Sequence, residues 1–231
     1  MKKNLPLVTC ICITNNRPKL IEKSITYFLQ QDYSNKELLI SYPSTDQVTT
    51  SIIDQFLVYN DISILEVERP SEMNLGDARN DAVARANGEY ICTWDDDDWY
   101  HPNRVSSQLL WLQQAGKSYK ASALNQLLLY DQTSKKAYLS FLYLWENTLL
   151  CEKAYFKKNQ YSSQEKGEDS TIVDYLESDH ELFHIWNSPF LYIYIYHSGN
   201  TWGYEHFKSF IERSQPLSDE QNLMIYQLLN Q

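Results

Sequence analysis

The segment Thr93–Trp99 has the sequence Thr-Trp-Asp-Asp-Asp-Asp-Trp and follows a short apolar run, Tyr90–Cys92, that is typical of a buried strand. If the chain stays extended, Asp95 and Asp97 share one side and the other two aspartates share the opposite side. Neighbouring carboxylates repel one another, and a hard divalent cation with oxygen ligands relieves that repulsion best. A solvated acidic loop is the ordinary alternative. The large aromatic residues on both sides of the aspartates favour a built site.

Composition narrows the class of protein. The chain has 231 residues and is 43% hydrophobic, which predicts one sizeable core and excludes wholesale disorder. Its formal net charge of -10 argues against nucleic-acid binding, which depends on Lys and Arg neutralising phosphates. An anionic small ligand stays compatible with this charge if a metal supplies the positive charge. The four cysteines lie in apolar segments without zinc-ligand spacing, and this indicates buried thiols in a reducing compartment.

The N-terminus loosely resembles a secretory signal, because Lys2 and Lys3 precede the apolar run 5–13. No small-residue cleavage site follows, and the turn residues at 15–18 come at once. No apolar run approaches the length of a membrane span. We therefore expect no transmembrane segment and a cytoplasmic protein, whose contact with a membrane would be peripheral and through a partner.

The first half alternates strand and helix signals. Strands are predicted over 7–14, 36–41, 62–67 and 90–92, and helices over 18–31, 51–59, 74–86 and from 102. Gly88 is the expected left-handed stop of the third helix. Strand–helix–strand units with apolar strands predict a doubly wound parallel sheet. Ligands of such sheets bind beyond the carboxyl ends of the strands, so Thr14, the segment 43–46 and the aspartates should meet at one edge.

The second half has a different pattern. Strands over 123–130 and 137–143 around a turn at 131–134 predict a hairpin. A short helix is expected at 152–158, a polar loop at 161–167, a helix from Asp169 and a strand at 191–196. Two helices, 204–213 and 219–230, are expected to close the chain.

Five motifs, in order and spacing, resemble the family 2 glycosyltransferases of the GT-A fold over most of the chain. They are the strand and turn Val8-Thr9-Cys10-Ile11-Cys12-Ile13-Thr14-Asn15-Asn16-Arg17-Pro18; Asn74-x-Gly76 with Ala78-Arg79-Asn80; Gly88-Glu89-Tyr90-Ile91 followed by Asp95-x-Asp97-Asp98 and Pro102-Asn103-Arg104; Gly167-Glu168-Asp169; and His197-x-x-Asn200-Thr201.

The resemblance implies an α/β fold, with a Rossmann-like doubly wound mixed sheet and a smaller acceptor-side part of strands and helices. It implies one domain, 1–231, with a nucleotide-sugar-binding half to about 116, an acceptor and base part over about 117–203, and C-terminal helices over about 204–231. The implied activity is metal-dependent, inverting transfer of a sugar to a hydroxyl acceptor, with Mn²⁺ or Mg²⁺. The implied donor is a nucleotide sugar, a UDP-sugar being favoured. The acceptor would be a glycan or a lipid-linked molecule, in surface polysaccharide or other glycan synthesis. Its contacts are expected from the second half of the chain, over about 138–148.

The resemblance also implies roles on the donor side. Asp97 is the expected direct metal ligand, and Asp95 is expected near the ribose or the metal. His197 is expected as a metal or diphosphate contact, against the equal alternative of a hydrogen-bonded histidine at a strand end. Arg79 is expected to hold the diphosphate, against the alternative of a solvated helix arginine. The remaining nucleotide-sugar candidates are Thr14, Asn16, Arg17, Tyr42, Ser44, Asp46, Gly76 and Asp96.

One segment departs from the family pattern. After the second strand the family usually carries an aspartate pair, and one of the two contacts the uracil. This chain has Ser41-Tyr42-Pro43-Ser44-Thr45-Asp46 instead, with Tyr42 in place of the aspartate that contacts the base. The sequence allows two interpretations: Tyr42 stacks on the nucleobase, or the donor is not a uridine nucleotide.

The catalytic base is expected in the pair Glu168 and Asp169. Asp169 matches the catalytic aspartate of the family, with Glu168 as the second candidate. From sequence physics alone a helix cap is favoured, because acidic residues are common in the first helical turn. A helix N-terminus also favours the charged carboxylate, so Asp169 is expected to stay ionised.

Two other classes stay open. A non-catalytic nucleotide- or sugar-binding homologue is compatible with the loss of the aspartate at Tyr42, although the acidic motifs argue against it. A sugar nucleotidyltransferase is disfavoured, because the turn at 15–18 has none of the glycines that such enzymes place after the first strand.

Overall fold

The computed structural model describes residues 5–59 and 62–230, so the lysines at positions 2 and 3 lie outside the described residues. The strands are β1 (Val8–Ile13), β2 (Lys36–Pro43), β3 (Ile64–Arg69), β4 (Tyr90–Thr93), β5 (Trp99–Tyr100), β6 (Ala121–Leu124), β7 (Leu128–Asp131), β8 (Lys136–Leu139), β9 (Leu150–Glu152), β10 (Leu182–Ile185), β11 (Tyr192–Tyr196) and β12 (Gln215–Pro216). The α-helices are α1 (Pro18–Leu29), α2 (Gln47–Tyr59), α3 (Leu75–Arg85), α4 (Arg104–Ala115), α5 (Ser170–Ser178), α6 (Tyr204–Ile211) and α7 (Asp219–Leu229).

The larger sheet has seven strands in the order β10-β6-β9-β4-β1-β2-β3. Strands β4, β1, β2 and β3 are parallel, as the alternating pattern predicts. β9 runs antiparallel to both of its neighbours, and β10 pairs parallel with β6. The predicted doubly wound mixed sheet is therefore confirmed. Strands from beyond residue 116 complete it.

Helices cover both faces of this sheet because the strands are apolar on both faces. Cys10 and Cys12 belong to one core cluster with residues of α1, α2 and α4. Ile11, between them, belongs to the other cluster, with residues of α3 and α5. This alternation of side chains along β1 is what a doubly wound sheet requires.

The smaller sheet has five strands in the order β12-β8-β7-β11-β5. Its β7–β8 hairpin confirms the prediction, and Lys135, in the turn, has a left-handed φ of 57°. The strand expected over 123–130 is wrong as a single element. It divides into β6 of the large sheet and β7 of the small one, because Asn125 bonds across to Ile185 and Tyr143 through its backbone.

Other local differences have simple causes. β9 and β10 have only three and four residues, too short for a period-2 pattern to mark them. The helix expected over 152–158 is the tighter 3₁₀ turn Lys153–Lys157, and Pro189–Leu191 forms another. Gly88 is not a left-handed cap, because α3 ends at Arg85 with Ala86 as its C-cap and Gly88 does not have a positive φ. A Cβ at Gly88 would approach Thr9 N to 2.6 Å, so close contact with β1 requires the glycine.

Among residues 5–59 and 62–230, none of the helices combines the length and the apolar character that crossing a bilayer requires.

Candidate active site

The aspartate segment does not stay extended, because the chain turns at Asp96 and Asp97. The expected division into two pairs nevertheless holds. Asp96 and Asp98 are buried, at 3% and 2% exposure, while Asp95 and Asp97 are partly exposed. Four consecutive like charges therefore separate into two anchoring and two accessible carboxyl groups.

The buried pair fixes the loop to the rest of the fold. The Asp96 carboxylate accepts hydrogen bonds from Thr14 Oγ1 at 2.6 Å and from Arg17 at 3.0 Å. Asp98 accepts one from the Tyr192 hydroxyl and one from the Ile195 N–H at 2.8 Å. Burial raises the pKa of Asp96 to about 7 and that of Asp98 well above its ordinary value. The sequence predicted Asp96 as a nucleotide-sugar contact, and the structure places it behind the accessible pair.

Asp97 is surrounded by hydrogen-bond donors. Its Oδ2 lies 3.2 Å from Arg17 Nη1, 3.2 Å from His197 Nε2 and 3.3 Å from Asn200 Nδ2. Arg17 also donates to the Gly199 carbonyl at 2.7 Å, and the Asn200 side-chain oxygen accepts from the His197 N–H. These contacts converge on one oxygen, and Oδ1 has no hydrogen-bond partner among the described residues.

Arg79 joins the aspartate loop to the predicted base motif. It is buried, donates to Glu168 at 2.8 Å through Nε and to Asp95 at 3.0 Å through Nη2. Burial alone would lower the pKa of Arg79, but the carboxylates of Asp95 and Glu168 hold it well above its usual value. The solvated-arginine alternative is therefore wrong. Arg79 is an internal ion-pair partner, and a diphosphate would reach it only in competition with these carboxylates.

Asp169 occupies the N-cap position of α5, but its side chain makes no capping hydrogen bond. Its backbone is already helical there (φ -82°, ψ -25°), and capping residues usually have extended backbone. Burial and the charge of Glu168 raise the pKa of Asp169 to about 7. The sequence predicted that the helix N-terminus keeps this group ionised, and burial opposes that tendency by shifting its pKa toward neutral. A carboxyl group that ionises near neutral pH is suited to general-base work.

A cavity of about 290 Å³ connects these groups. We name two groups of its lining residues for the roles that the family resemblance implies. The donor wall comprises Arg17, Asp95, Asp97 and Asn200. The acceptor wall comprises Tyr143, Glu146, Asp169, Ser170 and Phe210. His197 reaches Asp97 from a second cavity, of about 270 Å³, behind the aspartate loop.

The residues fit a divalent ion only in part. The described part of the chain has no group of three His, Cys, Asp or Glu residues arranged to hold a metal. Mg²⁺-type sites, however, commonly use one or two protein carboxylates and complete their coordination with substrate phosphates. The free Oδ1 of Asp97 and the partly exposed Asp95 match that donor set, with His197 adjacent.

The residues predicted around the nucleobase are placed differently. Tyr42 is 2% exposed and packs in the core, where its hydroxyl donates to Glu66 at 2.7 Å. Stacking on a base is therefore wrong for Tyr42, since its ring has no accessible face. Asp46 is buried and accepts hydrogen bonds from Thr49, in the first turn of α2, and from the Asn16 N–H at 2.8 Å. It fixes the turn after β1, and Ser44 stays exposed beside it.

Gly76 acts through close approach. A Cβ at this position would lie 1.8 Å from the Ser162 carbonyl oxygen, and the Gly76 N–H donates to the Gln164 carbonyl at 3.0 Å. The glycine therefore lets the start of α3 contact the loop that leads to Glu168 and Asp169. Its place in the sequence motif reflects this contact between two segments.

Sequence reasoning missed several residues that shape the site. Arg69 is buried and donates to the Thr14 carbonyl at 2.8 Å, which holds the end of β1. Tyr192 binds Asp98, and Tyr194 lines the cavity. The alternation of aliphatic and tyrosine residues along β11 was the available signal. Glu146 lies inside the segment 138–148 that was expected to contact the acceptor, but it was not named, because the 3₁₀ turn Glu146–Thr148 has no sequence signature.

Comparisons with solved structures define the class of fold. The mannosyltransferase PcManGT from Pyrobaculum calidifontis, in complex with GDP-Man and Mn²⁺, superposes with a TM-score of 0.68 at 15% identity, over 89% of this chain and 61% of that one. S. aureus TarS 1-349 in complex with UDP-GlcNAc gives a TM-score of 0.66 at 16% identity, over 85% and 60%. At these identities the likeness establishes the GT-A glycosyltransferase fold and nothing finer.

The sequence profile of Glycosyl transferase family 2 matches residues 9–126, and the chain belongs to this family. WcaA of Escherichia coli (strain K12), whose name assigns it provisionally to colanic acid biosynthesis as a glycosyl transferase, is 37% identical over 120 residues. That alignment covers 48% of this chain and 40% of WcaA. A β-1,3-glucosyltransferase of Campylobacter jejuni, acting on GalNAc(5)-diNAcBac-PP-undecaprenol by its name, is 24% identical over 115 residues, which are 50% of this chain and 36% of the relative. The chain thus matches about two fifths of the length of these relatives.

Proposed function

We propose that this protein is a metal-dependent, inverting glycosyltransferase that moves a sugar from a nucleotide-sugar donor, with UDP favoured, to a hydroxyl acceptor. The observation that carries the proposal is one cavity. It brings together two accessible aspartates and Asp169, whose side chain makes no capping hydrogen bond. The family membership and the names of the relatives support a place in surface polysaccharide or other glycan synthesis.

The donor wall would hold the diphosphate. Departure of a nucleoside diphosphate builds negative charge, and a divalent ion bound there would neutralise it as a Lewis acid. Asp97 and Asp95 would hold that ion. Arg17, at 28% side-chain exposure, is the cation most able to turn from its carboxylate partners toward phosphate oxygens.

The acceptor wall would supply the base. As the acceptor oxygen bonds to the anomeric carbon, the bond from that carbon to the diphosphate oxygen breaks. The acceptor proton passes to the Asp169 carboxylate. A single displacement of this kind inverts the anomeric configuration. Glu168 would hold Arg79 in position rather than take the proton, because its Oε1 accepts a hydrogen bond from the buried Arg79.

Release of UDP from a panel of UDP-sugars, with Mn²⁺ and with a chelator, tests the proposal. We expect turnover that needs both the metal and an intact Asp169. A binding homologue would bind UDP and release none from any donor. A nucleotidyltransferase would instead release pyrophosphate from UTP and a sugar phosphate. Either of these results would refute the proposed activity.

A further inference from the structure

The acceptor wall continues into a cluster of aromatic rings. The Tyr143 and Trp145 ring centroids are 5.3 Å apart, those of Trp145 and Phe210 are 5.1 Å apart, and those of Phe210 and His206 are 4.6 Å apart. All four rings line the cavity that contains Asp169. Among them Tyr143 is the well-exposed ring, at 40%, which leaves part of its surface free for a ligand.

Such a ring fits the C–H face of a pyranose. Tyrosine offers a flat apolar face with a polar tip, and this combination suits ligands that are apolar on one face and polar around the edge. A saturated lipid tail would not suit the place, because Glu146 and Asp169 belong to the same wall. Those carboxylates instead match the hydroxyl groups around a sugar ring, which can donate hydrogen bonds to them.

The charge of the cavity bears on whether a neutral or an anionic sugar can bind there. Within residues 5–59 and 62–230, three cationic side chains line it: Arg17 and Arg79, which are paired with carboxylates, and Lys166, which lies 5.0 Å from the Trp202 ring centroid. Among the described residues eight carboxyl side chains line the same cavity, but Asp96 and Asp98 are buried and hydrogen-bonded within the fold. The other six still outnumber the cations, and they are Asp95, Asp97, Glu146, Glu165, Glu168 and Asp169. A second anion beside Asp169 would therefore meet uncompensated negative charge, and in a partly buried site that repulsion is strong.

We propose that the acceptor is a neutral pyranoside whose C–H face packs on Tyr143 and whose hydroxyl groups bond to Glu146 and Asp169, and that uronic acids and other anionic sugars are excluded. This inference rests on the proposed function, because it assigns the acceptor of that reaction. It makes Tyr143 a contact for sugar binding and Glu146 a determinant of charge selectivity.

Saturation-transfer NMR on the full chain tests the proposal without any turnover. The probes are the methyl β-pyranosides of glucose, galactose, mannose and N-acetylglucosamine, together with methyl β-glucuronide. At least one neutral probe should be saturated through its ring C–H protons. Tyr143→Ala should weaken its binding roughly three- to tenfold. Tyr175→Ala is the matched control, because Tyr175 is 47% exposed on α5 and lies outside both cavities.

Charge selectivity is the second part of the test. The glucuronide should bind at least about tenfold more weakly than the glucoside to the wild type. Glu146→Gln should narrow that gap, and Glu165→Gln, at the exposed rim, should leave it nearly unchanged. Glucuronide binding as tight as glucoside binding would overturn the proposal. So would the absence of any Tyr143-dependent signal from the neutral probes.

Calorimetry with UDP and Mn²⁺ on the same samples separates this inference from the proposed function. If UDP binds but no pyranoside responds to Tyr143→Ala, the acceptor assignment fails and the proposed function stands. If a pyranoside binds through Tyr143 and UDP with Mn²⁺ does not bind, the sugar site stands and the proposed function fails.

Discussion

The donor wall and the acceptor wall both carry carboxylates, but their surroundings differ. On the donor wall Asp97 has Arg17 and His197 beside it, and Asp95 has Arg79. On the acceptor wall the Asp169 side chain makes no hydrogen bond or ion pair within the described residues, and burial raises its pKa to about 7. The first arrangement holds carboxylates beside cationic and hydrogen-bonding side chains, and under the proposed function those carboxylates would bind a metal cation. The second leaves a carboxyl group of raised pKa that can take up a proton. Their neighbours, more than the residue type, set these different tasks.

Asp169→Asn should produce the largest effect, and it should impair only the function proposed for the acceptor wall. Loss of a general base typically lowers the rate by about 10²–10⁴. We expect that loss in UDP release from the best UDP-sugar. Glu168→Gln should cost less, because glutamine keeps an oxygen that accepts from Arg79. Asp174→Asn, exposed on the same helix, is the control and should keep wild-type rates. An inactive Glu168→Gln beside an active Asp169→Asn would reverse the assignment.

Asp97→Asn should impair the metal and diphosphate binding proposed for the donor wall. Removal of one group that stabilises developing charge costs about 10²–10³ in rate, and here the loss should include most of the response to added Mn²⁺. Metal titrations of UDP release would measure both effects. Asp81→Asn removes an aspartate from an exposed ion pair with Arg85 and should change neither. Wild-type turnover and metal response in Asp97→Asn would place the metal elsewhere.

The unpaired state of Asp169 also predicts a dependence of stability on pH. Its pKa is about 7 in the fold, above the roughly 3.9 of an unfolded aspartate, so the folded chain binds the extra proton between these values. The group therefore destabilises the fold increasingly as pH rises from about 4 to 7, and fully above that. Asp169→Asn lacks this penalty and should raise the free energy of unfolding at pH 8 by roughly 1 kcal/mol or more.

Urea unfolding at pH 8 and pH 5 measures this difference. The advantage of the variant should shrink at pH 5, where the folded wild type holds its proton. Asp174→Asn, on the exposed face of α5, should show no such change. If Asp169→Asn changed the free energy of unfolding equally at both pH values, the surroundings of Asp169 would not raise its pKa.

The smallest effect is expected at Tyr42, which belongs to neither wall. Tyr42→Phe removes a hydrogen bond to the exposed Glu66 and should lower the free energy of unfolding by about 0.5–1.5 kcal/mol. The affinity for UDP should not change, because the ring is enclosed in the core. Urea unfolding and calorimetry on one preparation would check both. A tenfold loss of UDP affinity without a change in stability would mean that Tyr42 contacts the nucleobase after all.

The sequence could predict the donor side better than the acceptor side, and the reason is physical. Long apolar strands and amphipathic helices of β1–α4 have clear periodicity, and motifs at strand ends must meet at one sheet edge. The acceptor side depends on short strands such as β9 and β10 and on a 3₁₀ turn that carries Glu146. Such elements are defined by tertiary pairing, so local patterns do not mark them.

Burial was the other quantity that the sequence could not supply. Tyr42 and Asp46 match positions of a base-binding motif, yet one packs in the core and the other bonds to α2. Arg79 and Asp169 have solvated or capping alternatives in the sequence, and only their contacts decide against those alternatives. Charge state follows from the same contacts, so the pKa of Asp169 was beyond sequence reasoning.

The most direct test of the account is calorimetric titration of UDP with Mn²⁺ into Asp97→Asn and Asp169→Asn, compared with the wild type. The two walls are assigned to separate tasks, so Asp97→Asn should lose most of the metal-dependent affinity and Asp169→Asn should keep it within about twofold. Equal losses in the two variants, or unchanged affinity in Asp97→Asn, would contradict the division of the cavity into a donor wall and an acceptor wall.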